Sequence, residues 1–197
     1  MTHLTLIASA FLLAADPPTE RPTPTTVVST ECAVSANMAL EGRASPLDSA
    51  MVTLAEGEVK LCYGSPSARG RTMIGGDEVP FGELWRTGAN EATVLHTTIP
   101  LSVAGVQLDA GSYSIYTVPG VPEWVVYISS STDHWGIQIT DEVRAMEVGS
   151  ATLEPEEMEE HVESLTFTFE DAGSRSAELV MEWEHTRLRI PVTATGG

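Results

Sequence analysis

Three arginines raise the first chemical question in this chain. Arg69, Arg71 and Arg86 fall within one stretch, Leu61 to Thr98, which reads LCYGSPSARGRTMIGGDEVPFGELWRTGANEATVLHTT. Guanidinium groups held close together suit a carboxylate, a sulfate or a sugar acid. The competing reading gives Arg86 a structural ion pair and leaves the other two in solvent, because ion-pair networks often resemble sites. Trp85, Asn90 and Glu91 lie in the same stretch, and His96 follows on the next β-branched run. Gly88 and Asn90 tolerate positive φ, and Thr87 and Asn90 bond local backbone readily, so Thr87 to Glu91 predicts a tight turn. Trp85 would anchor that turn to the core, with Arg86 and Glu91 paired across it in bidentate geometry. The candidate ligand-binding set is Arg69, Arg71, Trp85, Arg86, Asn90, Glu91 and His96.

Other chemistries find less support. The five histidines, His3, His96, His134, His161 and His185, show no HxH or HExxH spacing. A metal site of His96, His134 and Glu91 would need the fold to bring them together, and neither a metal nor a cofactor is expected. Ser65 and Ser67 sit in GSPSARG, which is not a GxSxG elbow. Asp133-His134 follows Ser129 to Ser131, but triads are recognised by geometry and not by neighbourhood. Glu156, Glu157, Glu159 and Glu160 read as solvated charges; a glycosidase needs two acids on facing rigid elements. RGRTMIGG lacks the lysine of a phosphate-binding loop. Outward aromatics on a sheet would offer sugar rings a platform, with Trp124 and Trp135 best placed, whereas core packing claims such residues otherwise.

Composition narrows the partners. Lys+Arg number 10 against 28 Asp+Glu, a formal charge of −18 and a pI near 4.4. That field repels phosphate backbones and excludes a polybasic membrane-surface role, so no nucleic acid is expected. Half of the acids lie between Asp141 and Glu184, and no Lys or Arg occurs from Thr87 to Val143. The acidity reads either as a solvated surface that favours solubility or as an acidic exterior around one small basic site. Hydrophobic residues at 42% supply a sizeable core.

The elements that must position these residues are strands. Glu58 to Tyr63, Thr93 to Ile99, Ser112 to Val118, Trp124 to Ser129, Trp135 to Thr140, Leu165 to Phe169, Ala177 to Trp183 and Arg187 to Val192 alternate or are β-rich. Leu101 to Leu108 reads as a hairpin turning at Ala104-Gly105, and Ala172-Gly173-Ser174 as the last hairpin turn. Gly and Pro, 16 and 12, punctuate them. Glu154 to Ser164 suits one short helix, with Pro155 at its first position, or else an acidic loop. The pattern predicts an all-β fold, an antiparallel β-sandwich of jelly-roll or Greek-key type, with a long Gly/Pro-rich loop and at most one short helix.

Leu4 to Ala15 is a twelve-residue apolar run ahead of Asp16-Pro17-Pro18. Twelve residues are too few to span a bilayer, which takes about 20, and match the apolar core of a secretory signal. The expected organisation is a signal segment 1–15, a flexible linker 16–44, a sandwich domain 45–192 and a tail 193–197. A secreted or periplasmic location follows, with no transmembrane span. Cys32 and Cys62 could then form a disulfide, or stay apart as a mobile thiol and a strand residue. Oligomeric state is not legible.

GSPSARGRTMIGG followed by VPFGELWRTGANEAT resembles the signature of the bacterial family catalogued as domain of unknown function 2911. AGSYSIYTVPG, WVVYIS and MEWEHTRLRIPV extend that resemblance over about residues 45–192. It implies a β fold and export, and it supplies no catalytic residues. The reading favoured is an exported, non-catalytic module that binds a small ligand, such as an anion, or a glycan or an envelope partner. The alternative is a hydrolase-like enzyme using the Arg86, Glu91, His96 neighbourhood. Convergence of Arg71, Arg86, Glu91 and His96 in one open pocket would favour the enzyme.

Overall fold

The computed structural model describes residues 28–33, 41–134 and 139–196. Among these residues ten strands and one helical turn follow one another: β1 (Leu47–Leu54), β2 (Gly57–Gly64), β3 (Thr93–Thr97), β4 (Leu101–Val103), β5 (Val106–Leu108), β6 (Gly111–Val118), β7 (Trp124–Ser129), α1 (Asp141–Arg144), β8 (Glu147–Leu153), β9 (Glu156–Glu170) and β10 (Ser176–Ala194). They form two antiparallel sheets, one in the order β1-β2-β3-β6-β7-β8 and one in the order β5-β4-β10-β9. The chain is an all-β sandwich, as the alternation predicts.

The period of two explains which side chains meet. Val59, Leu61 and Tyr63 of β2 and Leu95 of β3 face inward, with Ile115 and Ile128 beyond them. Leu179, Met181, Trp183, Leu188, Ile190 and Val192 of β10 come from the opposite sheet. All are buried, so the core lies between the sheets. The intervening residues of β2 and β3, Lys60, Cys62, Val94 and His96, stand on the outer face of the larger sheet.

Several expectations change. Glu154 to Ser164 is not a helix or a loop: Glu156 onward belongs to β9, paired with β10. Helix propensity is a weak prior, and here the inward alternation of Leu165 and Phe167 with pairing to β10 on both sides of the register shifts outweighs it. Pro155 lies just outside the strand, where its missing N–H costs no ladder bond. The two runs 177–183 and 187–192 merge into the single strand β10, interrupted by register shifts around Glu184. The helical turn is α1 instead, capped by Thr140, whose side chain accepts the Val143 N–H. Of the strand expected at Trp135 to Thr140, residues 135–138 lie outside the described residues, and Thr140 is that cap. β1 and β8 add to the strands expected from the sequence. Cys32 and Cys62 do form a disulfide, with Cα atoms 5.5 Å apart, so the thiol reading falls. Among the described residues no helix is long and apolar enough to cross a membrane.

Candidate functional site

The long segment between β2 and β3 closes one end of the sandwich. Its first part runs beside β9: Ser65 Oγ donates to the Leu165 carbonyl at 2.8 Å, and the Ala68 N–H donates to the Glu163 carbonyl at 2.8 Å. It then crosses to β10, where the Glu184 carboxylate accepts the N–H groups of Met73 and Ile74 at 2.9 and 2.8 Å. Glu184 has φ of +52° and sits at the register shifts of β10. A bulge bends the strand and re-aims a side chain, which turns this carboxylate toward the loop. The segment finally reaches the other sheet, where Trp85 and Thr117 exchange two backbone hydrogen bonds of 2.8 Å.

Trp85 joins both sheets. Its ring stacks on Trp183 of β10 at 5.7 Å and meets Trp124 of β7 edge-on at 6.2 Å. The three indoles are buried, Trp124 included, so the expected exposure of Trp124 is overturned: it completes the core under the loop. Trp135 lies outside the described residues. An aromatic cluster of this kind contributes large apolar burial and fixes ring geometry.

Beyond Trp85 the chain makes the tight turn that the sequence predicts, with a different distribution of strain. Positive φ falls on Thr87 (+56°) and Asn90 (+65°), and not on Gly88. Gly88 is required for space: a Cβ there would lie 2.6 Å from Thr93 Oγ1 and 3.2 Å from the Gly64 carbonyl oxygen. A fully buried, β-branched residue in the left-handed region costs of order 1–3 kcal/mol. Three hydrogen bonds hold Thr87 there: its hydroxyl donates to the Trp85 carbonyl and pairs with the Thr117 hydroxyl, and its carbonyl accepts from Thr93 Oγ1.

The seven predicted residues divide into three groups. Arg69, Asn90 and Glu91 staple the loop to the segment before β1. Arg69 Nη2 donates to the Ala44 carbonyl at 2.8 Å, and Asn90 Nδ2 to the Ser45 carbonyl at 2.9 Å. Glu91 takes both ends of the Arg43 guanidinium, at 2.9 and 3.0 Å. The expected Arg86–Glu91 pair does not form. The turn aims Glu91 at Arg43, while Arg86 Nε is held by the Gly88 carbonyl at 3.1 Å. His96 stands alone on the outer face of the sheet, its Nδ1 2.8 Å from Ser112 Oγ. Burial, with the charge of Lys60 adding to it, lowers its pKa. Among the described residues no three His, Cys, Asp or Glu side chains are grouped to hold a metal, so His96, His134 and Glu91 make no such set.

Arg71, Trp85 and Arg86 do come together, around a cleft of about 340 Å³. Met73, Val79, Leu84 and Trp183 supply its apolar lining, and Ser45 and Glu78 its polar rim. Arg71 is committed: Nε and Nη2 donate to the carbonyls of Ala68 and Ser67, and Nη1 lies 3.3 Å from Glu78 in an exposed pair. Arg86 is half-buried, and its bond to Gly88 is its single hydrogen bond within the described residues. Its two terminal nitrogens have no protein partner there. Burial lowers the pKa of this guanidinium, with the Glu78 charge opposing; a guanidinium remains charged throughout the neutral range. No histidine or cysteine is among the described lining residues. Sequence reasoning missed Arg43, Ser45 and Glu184, which no local motif marks.

A family model described as protein of unknown function (DUF2911) matches residues 45–192. No curated protein and no solved structure matches the chain.

Proposed function

This chain belongs to the DUF2911 family, and we propose that its sandwich is an exported, non-catalytic module that holds a small polar anion in the cleft beside Arg86. One observation carries this reading. A half-buried guanidinium lines a cleft with two nitrogens unclaimed by the described residues, although the chain bears 28 acids. Desolvating a charge is unfavourable unless something answers it, and a carboxylate or sulfate does so with two parallel hydrogen bonds. The buried Trp85 beneath it and the strained Thr87 after it support a pre-built geometry.

The cleft volume, near the lower end of small-molecule sites, suits a sugar acid or a hydroxy acid better than a long chain. The net charge of −18 repels an anion at long range, so affinity comes from the short-range fork contact, and association is slow at low salt. Export is supported by the apolar run before residue 16 and by the Cys32–Cys62 disulfide, since disulfides persist in oxidising compartments.

Titration calorimetry with sulfate, citrate and glucuronate, against chloride at matched ionic strength, tests the reading. One of these anions binds the wild type at one site and binds Arg86→Gln at least tenfold more weakly. Equal heats for the two proteins would refute it.

A further inference from the structure

A second site stands on the other side of the loop, on the outer part of the β9–β10 hairpin, and it is independent of the anion cleft. We propose that His161 and His185 form a two-imidazole site for a divalent cation that prefers nitrogen ligands, with Zn²⁺ as the probe.

Geometry comes first. The two rings lie on neighbouring strands, both exposed, with centres 5.3 Å apart and planes at 70°. A zinc ion roughly 2.0–2.1 Å from one nitrogen of each ring, at a tetrahedral angle, sets the ring centres about 5 Å apart. The ring separation therefore matches the one a shared ion requires. The register shifts on either side of Glu184 place His185 beside the bulge, and bulges re-aim side chains out of the simple alternation.

The tautomer comes next. His185 Nδ1 lies 3.1 Å from the Met158 carbonyl oxygen. A carbonyl only accepts, so Nδ1 of the neutral ring carries the hydrogen and Nε2 presents its lone pair. An outer carbonyl that orients the ring and fixes the tautomer is the usual companion of a metal-binding histidine.

The charge around the pair selects a cation. Glu157, Glu159 and Glu160 lie in the first five residues of β9 and have no ion-pair partner among the described residues. Glu156 and Glu182 are answered by Arg187 and Arg189, and Glu184 by the loop N–H groups. The unanswered carboxylates raise the local concentration of a divalent ion. Imidazole ligands favour Zn²⁺, Cu²⁺ or Ni²⁺ over Mg²⁺ or Ca²⁺, which prefer oxygen. Among the described residues no third histidine, cysteine or carboxylate completes a set here, so water fills the remaining positions and the site is open.

The test is titration calorimetry of metal-stripped, tag-free full chain with ZnCl₂, beside MgCl₂. The wild type takes up one Zn²⁺ per chain with micromolar affinity, and Mg²⁺ gives no comparable binding. His161→Ala and His185→Ala each weaken Zn²⁺ at least tenfold, whereas His134→Ala leaves it unchanged. Both rings are exposed, so the variants keep the wild-type circular dichroism spectrum. Absence of saturable Zn²⁺ binding overturns the proposal. So does wild-type affinity in the His161→Ala/His185→Ala double variant, or equal uptake of Mg²⁺, which would mean diffuse attraction to glutamates.

Discussion

Arg43 and Glu91 form a two-pronged ion pair across 48 positions of sequence, with the guanidinium only 3% exposed and the carboxylate 13%. The contact pins the end of the long loop to the segment that leads into β1. With Asn90 on the Ser45 carbonyl and Arg69 on the Ala44 carbonyl, it fixes one rim of the cleft.

Removing one partner of this pair strands a largely buried charge. Arg43→Ala and Glu91→Ala are each expected to cost ~3–5 kcal/mol. The double variant loses less than the sum, because no orphan charge remains. Urea unfolding of the three variants measures this coupling. Additive, near-zero losses would mean that solvent already screens the pair.

The Cys32–Cys62 disulfide closes a loop of 30 residues' separation onto the outer face of the larger sheet. Loop-closure entropy of that size is worth ~3–4 kcal/mol. Dithiothreitol therefore lowers the melting temperature of the wild type and leaves a Cys32→Ser/Cys62→Ser variant, which starts from the lower value, unchanged. An unaffected wild type would mean that the bridge adds nothing to stability.

His96 predicts a specific pH dependence. Burial and the neighbouring Lys60 charge hold its pKa below the usual 6.5, and Ser112 and Ser114 of β6 share its face. Above pH 6.5 the ring is neutral in both folded and unfolded chains and contributes no slope. As pH falls through 6.5 the unfolded chain takes up a proton that the folded protein resists. Folding then weakens by up to ~1.4 kcal/mol per pH unit until the folded pKa is reached. His96→Asn lacks this slope. The stability gap between wild type and His96→Asn should shrink from pH 7.5 to pH 5.5 in urea titrations. A constant gap would show that His96 titrates normally.

Much of the fold is legible because a half-buried sheet writes itself as alternation: Val59, Leu61 and Tyr63 face inward as their spacing requires. The acidic run before Leu165 is not legible in that way. Its glutamates carry no apolar stripe, and only pairing with β10 makes it a strand. The arginine stretch was recognisable as a unit, and Arg71, Trp85 and Arg86 do line one cleft. The partner of Glu91 was not recognisable. Arg43 lies 48 positions away, outside the motif, and long-range ion pairs leave no periodic trace in sequence. Glu184 escaped for a related reason: its role depends on a bulge, and nothing in MEWEHTR announces one.

Thermal unfolding of the wild type and Arg86→Gln, with and without the anion that binds most tightly, tests the central claim most directly. Among the described residues Arg86 makes one hydrogen bond and no ion pair, so without anion the two proteins should melt within about 2 °C of one another, a difference of about 1 kcal/mol or less. At an anion concentration 100 times its Kd, the wild type gains ~2.7 kcal/mol and melts several degrees higher, while Arg86→Gln does not move. A variant that melts far below the wild type without anion, together with a wild type that no anion stabilises, would make Arg86 a structural staple and contradict the account.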